Sequence, residues 1–505
     1  MASYHITSAP EKSEVFILPF FEKKASVGVP GLSKDAQAMI AEVVALNDFA
    51  GKKMHMQLVY TKEKKFPRIC LLGLGDKKDF SLISWKKAVG ASVRAMQEKT
   101  YTHLSFFLPE DVIKTLTPYT ALKETVIASE IAAYAFDEYK EKKSQVKKVK
   151  VVSFVAALET KNKRDFSRGI EDGAIVGEAI NYARHLGNIP PTIMTPALLG
   201  KEAERLATIS SKIKTKVLAR VDIRQLGMGC LLGVSSGSQH EPKFIILDYQ
   251  GGKKDEKPVV LVGKGVTFDS GGLSLKPGEH LSDMKFDMLG AATVLGVLRG
   301  LAALGAKRRV VGLIPSCENM PGGEAYRPDD ILRAMNGATV EIVNTDAEGR
   351  LILADALSYA GMKYTPKEVI DIATLTGACM VALGIERSGL FSPEDTFASR
   401  LLSVADEAGE QLWRLPLGEE FRESIKSDVA DVKNLGGVGR PYYGGASVGA
   451  AFLQVFTEDL ETGKPHYPWA HIDLSCAYYA GKGKPWIRGG ANGFGIETLI
   501  EYIRR

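Results

Sequence analysis

The chain has 505 residues, of which 45% are hydrophobic and 25% charged, and its formal net charge is +5. This composition is ordinary for a globular protein, and so small a net charge gives no argument for a nucleic-acid or membrane partner. The N-terminus lacks the basic and apolar regions of a signal peptide, and no apolar run reaches the length of a membrane span. The five cysteines are scattered and form no CxxC zinc pattern, so we expect free thiols and a cytoplasmic location.

The first third of the chain alternates strand-like and helix-like segments. Short apolar runs bounded by breakers predict strands at residues 14–18, 56–60, 68–74 and 103–108, and helical periodicity predicts helices at 83–97 and 121–139. We therefore predict a smaller N-terminal α/β domain over residues 1–163. It carries no carboxylate cluster and no recognisable motif. A helix over residues 164–186 is expected to link it to the rest of the chain.

Lysines gather just before the end of this domain, at Lys140, Lys142, Lys143, Lys147, Lys148 and Lys150. Such a run is either a nucleic-acid patch or a solvated helix end and loop. The absence of interleaved aromatic residues favours the solvated loop. Nucleic acid is therefore not an expected partner, and retention on duplex DNA at physiological salt would overturn this interpretation.

From about residue 216 the alternation becomes regular. Strands are predicted at residues 216–219, 243–248, 258–262, 309–315, 339–343, 368–373 and 470–474, and intervening helices include 291–304 and 354–361. Several of the predicted strands are nearly continuous apolar runs, which is typical of strands buried on both faces. We predict a larger C-terminal α/β domain over residues 164–505, with a mostly parallel or mixed sheet covered by helices.

The most informative stretch is residues 344–351, NTDAEGRL, which lies between a predicted strand and a predicted helix. In open α/β sheets, ligands bind in the crevice beyond the carboxyl ends of the strands. A structural interpretation is also available, because Thr345 and Glu348 have the spacing of a helix capping box. The stretch alone does not decide between the two.

A second stretch, residues 263–277, reads GKGVTFDSGGLSLKP and follows the strand predicted at 258–262. Its glycines suggest a phosphate loop, but the lysine comes too early for a Walker A motif, and the carboxylate of Asp269 would repel phosphate. A Mg-ATP-binding role is accordingly disfavoured, and no thermal stabilisation by Mg-ATP is expected.

Carboxylates connect the two stretches. If the strands ending at residues 262 and 343 are neighbours in one sheet, four carboxylates converge at one edge: Asp269, Asp287, Asp346 and Glu348. Such a cluster destabilises the fold unless cations are supplied, and two divalent metals would neutralise it. Oxygen ligands suit Mn²⁺ or Mg²⁺, and Zn²⁺ also accepts them. No HExxH motif is present, which excludes the zincin type of metallopeptidase.

Three cationic side chains accompany the carboxylates. Lys276 and Arg350 are available to hold anionic or polarised groups. Arg350 could instead form a bidentate pair with Asp or Glu. For Lys264, the residues alone favour an ordinary salt bridge over a metal ligand, since a lysine must be neutral to donate to a metal.

These motifs resemble the leucyl aminopeptidase (cytosol aminopeptidase) family. The resemblance rests on GKGVTFDSGGLSLKP and NTDAEGRL, and extends through ENMP at residues 318–321, DIATLTGA at 371–378 and WAHID at 469–473. It covers most of the chain from about residue 181 onward, whereas the N-terminal third is similar in position and size only. The specific octapeptide at residues 344–351 carries most of its weight.

The resemblance implies a metal-dependent aminopeptidase that releases leucine and other N-terminal residues from peptides. It implies two divalent ions per subunit, Mn²⁺ or Zn²⁺ with Mg²⁺ and Co²⁺ as further candidates, sharing a hydroxide that attacks the first peptide carbonyl. One ion would be held by Lys264, Asp269, Asp287 and Glu348, and the other by Asp269, Asp346 and Glu348. The substrate amine would bind the ion on the Lys264 side.

The resemblance also assigns roles to the remaining residues of the site. Lys276 and Arg350 would be catalytic, with Lys276 on the oxyanion and bicarbonate at Arg350 as the proton shuttle. Substrate would be bound by Lys276, Met284, Asp287, Thr374, Leu375 and Gly377. His471 and Asp473 are expected to be structural. The resemblance further implies a homohexamer and, as an alternative function known in some members, a DNA-binding architectural role.

One segment departs from the pattern of the family. Many members read GGAITAA where this chain has RPYYGGASVGA at residues 440–450. Tyr442 and Tyr443 add bulk, and Ser447 replaces an aliphatic residue. The chemistry is expected to be unaffected, but the preference for leucine is left open.

Overall fold

The computed structural model describes residues 2–22, 31–156, 162–440 and 443–505. The chain divides into two compact units, of which the first comprises Met1–Asn181 with Gly481–Gly489 and the second Tyr182–Ala480 with Gly490–Arg505. A single long helix, Lys163–Asn188, begins in the first unit and ends in the second. The boundary predicted between residues 163 and 164 lies at the start of this helix and stays a prediction.

The first unit contains a six-stranded sheet. Its strands are β1 (Ser3–Thr7), β2 (Val15–Phe21), β3 (Met56–Tyr60), β4 (Arg68–Gly75), β5 (His103–Phe107) and β6 (Val151–Val155), in the order β1-β6-β5-β2-β4-β3. All neighbours are parallel except β3 and β4. The helices are α1 (Lys34–Ala45), α2 (Leu82–Glu98), α3 (Glu110–Leu116), α4 (Pro118–Ala133) and the start of α5 (Lys163–Asn188).

The strands and helices predicted for this region are confirmed, with one helix shorter than expected. The helix predicted to reach residue 139 ends at Ala133. The six lysines between residues 140 and 150 are all exposed, and Lys143 pairs with Glu141 at 3.0 Å. Their surroundings are those of a solvated loop.

The second unit is organised around a nine-stranded mixed sheet. Its strands are β7 (Ile213–Leu218), β8 (Lys243–Gln250), β9 (Val259–Gly263), β10 (Gly265–Asp269), β11 (Arg309–Asn319), β14 (Glu368–Ala373), β15 (Ser388–Phe391), β16 (Leu412–Arg414) and β18 (Trp469–Asp473). The order is β16-β15-β18-β14-β9-β11-β8-β7, with β10 also pairing with β11. The predicted mixed α/β fold is confirmed.

Smaller sheets and eleven helices complete the described part of the second unit. β12 (Ile331–Arg333), β13 (Thr339–Glu341) and β17 (Val432–Lys433) form one small sheet, and β19 (Tyr478–Tyr479) and β20 (Gly490–Ala491) another. The helices are α6 (Pro196–Ile209), α7 (Arg220–Gln225), α8 (Gly229–Val234), α9 (Gly278–Leu281), α10 (Leu289–Ala303), α11 (Gly349–Lys363), α12 (Gly377–Leu383), α13 (Asp395–Ala408), α14 (Glu419–Glu423), α15 (Gly445–Val455) and α16 (Ile496–Arg504).

Burial in the core of the second unit explains why the central strands predicted from the sequence agree with those in the structure. β9, β14 and the middle of β11 are buried along their whole length, and each reads as a largely apolar run, although β14 also carries Glu368 and Asp371. Helical residues Met284–Ala303 are apolar and long enough to cross a membrane, but 83% of the apolar window is buried within the protein. This segment therefore behaves as a core helix.

One expectation about the sheet is wrong. The strand predicted at residues 339–343 does not neighbour the strand that ends at residue 263, because β9 lies between β11 and β14. The predicted segment forms β13, a three-residue strand of the separate small sheet. The stretch at residues 344–351 must therefore reach the end of β9 and β10 by contacts other than strand pairing.

Candidate active site

Four segments of the second unit deliver the predicted side chains to one place. Lys264 lies in the break between β9 and β10, and Asp269 ends β10. Asp287 lies on a short 3₁₀ helix, Met284–Met288, and the turn before α11 supplies Asp346 and Glu348. The carboxylates predicted to converge do so, although not by the sheet adjacency expected from the sequence.

The geometry of this cluster is compact. Asp269, Asp346 and Glu348 each place an oxygen within 4.8 Å of the other two. Lys264 Nζ lies 2.7 Å from Asp287 Oδ1 and 2.9 Å from Glu348 Oε1, which ties the fourth carboxylate to the group. Four of the members are nearly inaccessible: Lys264, Asp269, Asp287 and Glu348.

The second lysine bridges the other side of the cluster. Lys276 Nζ lies 2.8 Å from Asp269 Oδ2 and also pairs with Asp346. Burial alone would lower the pKa of Lys276, but Asp269, Glu348 and Asp346 raise it above its ordinary value. Lys276 is therefore a permanent cation at the cluster.

Burial and mutual repulsion perturb the carboxylates. Burial, together with the charge of Glu348, raises the pKa of Asp269 to about 6. Burial likewise raises the pKa of Asp287 and Asp346. Burial opposes ionisation of Glu348 as well, but Lys264 and Lys276 hold its pKa below the ordinary value. Four carboxylates thus face two ammonium groups, and the excess of negative charge favours further cations.

The cluster fits a pair of divalent metals. Asp287 Oδ2 is buried and accepts no hydrogen bond from any described residue, so it is available as a ligand atom. Carboxylate oxygens are ligands that Mn²⁺, Mg²⁺ and Zn²⁺ all accept. Lys264 contacts Asp287 and Glu348, which would be its neighbours both in an ion pair and as fellow metal ligands. Its pKa is lowered by burial but raised more by Asp287, Glu348 and Asp269, so a metal would have to displace its proton.

Close packing explains the glycine that follows Glu348. A Cβ at Gly349 would lie 2.5 Å from Lys264 Cε and 2.6 Å from its Nζ. A larger residue at this position would push the lysine away from Glu348. The glycine of NTDAEGRL is thus required by the site rather than by the helix.

The capping box considered as an alternative for Thr345 and Glu348 is not formed. Helix α11 begins at Gly349 without a side-chain cap. Thr345 Oγ1 instead donates to the carbonyl of Gly271 at 2.6 Å and accepts the Ser274 amide at 2.8 Å. Its amide donates to Ser274 Oγ at 3.1 Å. Thr345 therefore fastens the turn to the loop after β10, which is how the two stretches meet.

Arg350, the first-turn residue of α11, is buried behind this turn. Its Nε and Nη1 make no hydrogen bond to any described residue, so the bidentate carboxylate pair considered from the sequence is not formed. Burial lowers the pKa of Arg350 to about 10, although Glu348 and Asp473 act in the opposite direction. A buried guanidinium with two free donors is suited to hold an anion.

The cluster forms one wall of a cavity of about 490 Å³. All residues predicted to bind substrate line it: Lys276, Met284, Asp287, Thr374, Leu375 and Gly377. Phe286, Met380 and Tyr478 add apolar surface, and the rings of Phe286 and Tyr478 stack at 4.6 Å. Arg350, Tyr443 and Ser447 are not among the described lining residues, and Tyr442 lies outside the described part of the chain.

The loop that carries Thr374 is held in place by the last central strand. Asp473 Oδ1 accepts the amides of Leu375 and Thr376 at 3.1 and 3.3 Å, and its Oδ2 accepts the Thr376 hydroxyl at 2.7 Å. Thr374 Oγ1 donates to Asp287 Oδ1 at 2.8 Å. His471 Nδ1 contacts Asp371 Oδ1 at 2.5 Å in the core. These contacts agree with the structural roles expected for Asp473 and His471.

Sequence reasoning missed the residue that joins the two halves of the cluster. Asn319, at the end of β11, donates from Nδ2 to Asp269 Oδ1 at 2.9 Å and to the carbonyl of Thr345 at 3.0 Å. The sequence did contain a signal, because Asn319 belongs to the ENMP segment that supported the family resemblance. No role was assigned to it there. An amide has no charge, so charge-based reasoning passes over it.

Fold and site together define a metal-dependent hydrolase with its carboxylate cluster at the ends of central strands of an α/β sheet. The model of the cytosol aminopeptidase family catalytic domain matches residues 181–500, and that of the family's N-terminal domain matches residues 17–143. The chain belongs to the cytosol aminopeptidase family, and it is a metal-dependent aminopeptidase.

Individual relatives are similar along almost the whole chain. A "Probable cytosol aminopeptidase" of Methylobacillus flagellatus is 38% identical over 502 residues, which are 99% of this chain and 98% of the relative. One from Cenarchaeum symbiosum is 38% identical over 493 residues, covering 97% and 95%. The N-terminal unit, which resembled the family in position and size only, is thus included in the match.

Two solved structures share the fold. A variant of tomato leucine aminopeptidase superposes with a TM-score of 0.84 at 30% identity, covering 100% of this chain and 97% of that one. The bottromycin maturation enzyme BotP in complex with Mn gives a TM-score of 0.82 at 31% identity, covering 97% and 99%.

Proposed function

We propose that this aminopeptidase uses two divalent metals at the carboxylate cluster to remove the first residue of peptides that carry a free α-amine. The proposal rests chiefly on one observation: four carboxylates, three of them buried, and two lysines form a wall of the 490 Å³ cavity. The manganese named for BotP supports Mn²⁺ as one of the ions.

The ligand sets are those implied by the family resemblance, and the contacts within the cluster support them. Lys264, Asp269, Asp287 and Glu348 would hold one ion, and Asp269, Asp346 and Glu348 the other, so that Asp269 and Glu348 are shared. When bound, the two ions supply the Lewis acidity that polarises the scissile carbonyl and acidifies the attacking water. The protein would hold the ligands in place and exclude water from the cavity, because electrostatic stabilisation is stronger where water is excluded.

The side chains around the cluster orient the peptide. Asp287 contacts Lys264 and lines the cavity on the side where the N-terminal amine would bind, so its negative charge favours that amine. Lys276, held cationic by Asp269 and Asp346, stabilises the oxygen of the carbonyl as it gains negative charge. Met284, Leu375 and Met380 give the first side chain an apolar surface, which suits leucine and similar residues.

Arg350 has a separate task. A guanidinium does not give up its proton, so Arg350 cannot itself be the base. Its two unpartnered donors fit bicarbonate, which would supply the general base. In bicarbonate-free buffer we expect kcat to fall by roughly 10²-fold and to recover on addition of bicarbonate. Arg350→Met should show the low rate in both buffers, and a bicarbonate response that survives in this variant would contradict the assignment.

The test of the exopeptidase function compares two substrates that differ only at the N-terminus. With Mn²⁺ present, we expect release of leucine from a leucyl peptide and none from its N-acetylated form, since acetylation removes the amine that Asp287 and the adjacent ion would hold. Equal cleavage of both peptides, or cleavage at an internal bond, would refute the proposal.

A further inference from the structure

Asn319 connects the two segments that carry the cluster. It is fully buried at the end of β11, directly opposite Asp269 of β10 in the strand register. Its Nδ2 donates to the Asp269 carboxylate and to the backbone carbonyl of Thr345, which lies one residue before Asp346. The backbone carbonyl of Asn319 accepts the Ser270 amide at 3.0 Å and the Ser270 hydroxyl at 2.7 Å. One residue thus contacts both halves of the site.

These contacts fix the orientation of the Asp269 carboxylate. Asp269 Oδ1 accepts from Asn319 Nδ2 and also from the Gly271 amide at 2.9 Å. The other oxygen, Oδ2, contacts Lys276 and stays on the side of the cluster. A carboxylate held by two donors on one oxygen presents the other in a defined direction, as ligating carboxylates usually do.

The position requires an amide donor of this size. An ionised Asp269 and the Thr345 carbonyl are both acceptors only, so the group between them must donate twice. The loop after β10 approaches so closely that a Cβ at Gly272, whose φ is +68°, would lie 2.7 Å from Asn319 Oδ1. The Asn319 amide therefore packs closely against the loop after β10, and position 272 has no room for a side chain beside it.

We propose that Asn319 is a positioning residue that holds Asp269 and the Thr345–Glu348 turn at the spacing needed by two divalent ions. The inference rests on the proposed metal-dependent function. It adds that the geometry of the ligand set is imposed before any ion binds, through an uncharged side chain that touches neither substrate nor the reacting atoms. Loss of such support around metal ligands typically weakens metal affinity by about 10–100-fold.

The chain offers a matched control. Tyr326 is also buried, and its hydroxyl donates to the same Thr345 carbonyl at 2.7 Å, but no hydrogen bond joins it to Asp269 among the described contacts. Tyr326→Phe therefore removes one bond to the turn, whereas Asn319→Ala removes a bond to the turn and the bond to the carboxylate. The difference between the two variants isolates the contact with Asp269.

The test is calorimetric titration of chelator-treated protein with Mn²⁺, a readout independent of turnover. We expect Asn319→Ala to weaken Mn²⁺ binding by about 10–100-fold, and Tyr326→Phe to bind much as the wild type does. Asn319→Ser, whose hydroxyl is too short to reach both acceptors, should show the same direction and serves if the alanine variant does not fold. Circular dichroism establishes folding before titration.

The outcomes separate the two proposals. Wild-type affinity in Asn319→Ala or Asn319→Ser, or an equal loss in Tyr326→Phe, would overturn the positioning role while leaving the metal site intact. Failure of the wild type to bind Mn²⁺ at all would instead overturn the proposed metal-dependent function, and with it the inference.

Discussion

Glu348→Gln is expected to lower kcat/KM by at least about 10³-fold and to lose Mn²⁺ at the same time. Glu348 touches Lys264 and lies within the oxygen cluster with Asp269 and Asp346, so it is the carboxylate placed to serve both ions. Gln has the same shape but carries no charge and offers only one oxygen. Because each factor of ten in rate corresponds to about 1.4 kcal/mol, the loss of several kcal/mol of metal assistance accounts for the expected effect.

The measurement is metal content by mass spectrometry together with leucyl-peptide hydrolysis. Glu279→Gln is the control, because Glu279 also lines the cavity but is exposed and lies outside the cluster. Helix α11 has no side-chain cap from Glu348, so the variant should fold normally. Full metal occupancy with wild-type turnover in Glu348→Gln would show that this residue is not a shared ligand.

Lys276→Met is expected to lower kcat by about 10²–10³-fold, the usual effect of removing one donor from a developing oxyanion. The methionine keeps the length and the apolar stem but removes the cation that, among the described residues, pairs with both Asp269 and Asp346. The variant should bind Mn²⁺ at least as tightly as the wild type, because a competing positive charge has left the carboxylates.

The experiment is specific because Lys276→Met is expected to lower kcat without weakening Mn²⁺ binding. Lys285→Met is the matched control, since Lys285 belongs to the neighbouring 3₁₀ helix and contacts the Asn188 carbonyl at 3.3 Å rather than the cluster. A Lys276→Met enzyme with normal kcat, or one that loses both metal and activity, would contradict a purely electrostatic role in the transition state.

The central strands were predictable because their burial leaves a clear pattern in the sequence. β9 and β14 are flanked by strands and covered on both faces, so most of their residues are apolar. β10 was missed because Gly265–Asp269 resembles a glycine-rich loop, and β1 because it is largely half-exposed. Local patterns carry no information about which strands pair, which is why β13 was placed in the wrong sheet.

The members of the site were predictable from charge, whereas their arrangement was not. Four carboxylates need cations wherever they meet, so Asp269, Asp287, Asp346 and Glu348 could be grouped without a structure. The contacts that fasten the turn at residues 344–348 to β10 and its following loop are made by neutral groups, namely the Thr345 hydroxyl and the Asn319 amide. These groups look like ordinary polar residues in the sequence, and the spacing of Thr345 and Glu348 was also consistent with a helix cap.

The central claim is that the carboxylate cluster works only when it holds two divalent ions. The most direct measurement is titration of chelator-treated enzyme with Mn²⁺, following bound metal and leucyl-peptide hydrolysis in the same samples. We predict negligible hydrolysis without metal, and full hydrolysis when two ions per chain are bound. Hydrolysis that survives complete metal removal, or full hydrolysis without any Mn²⁺ bound at this cluster, would contradict the account.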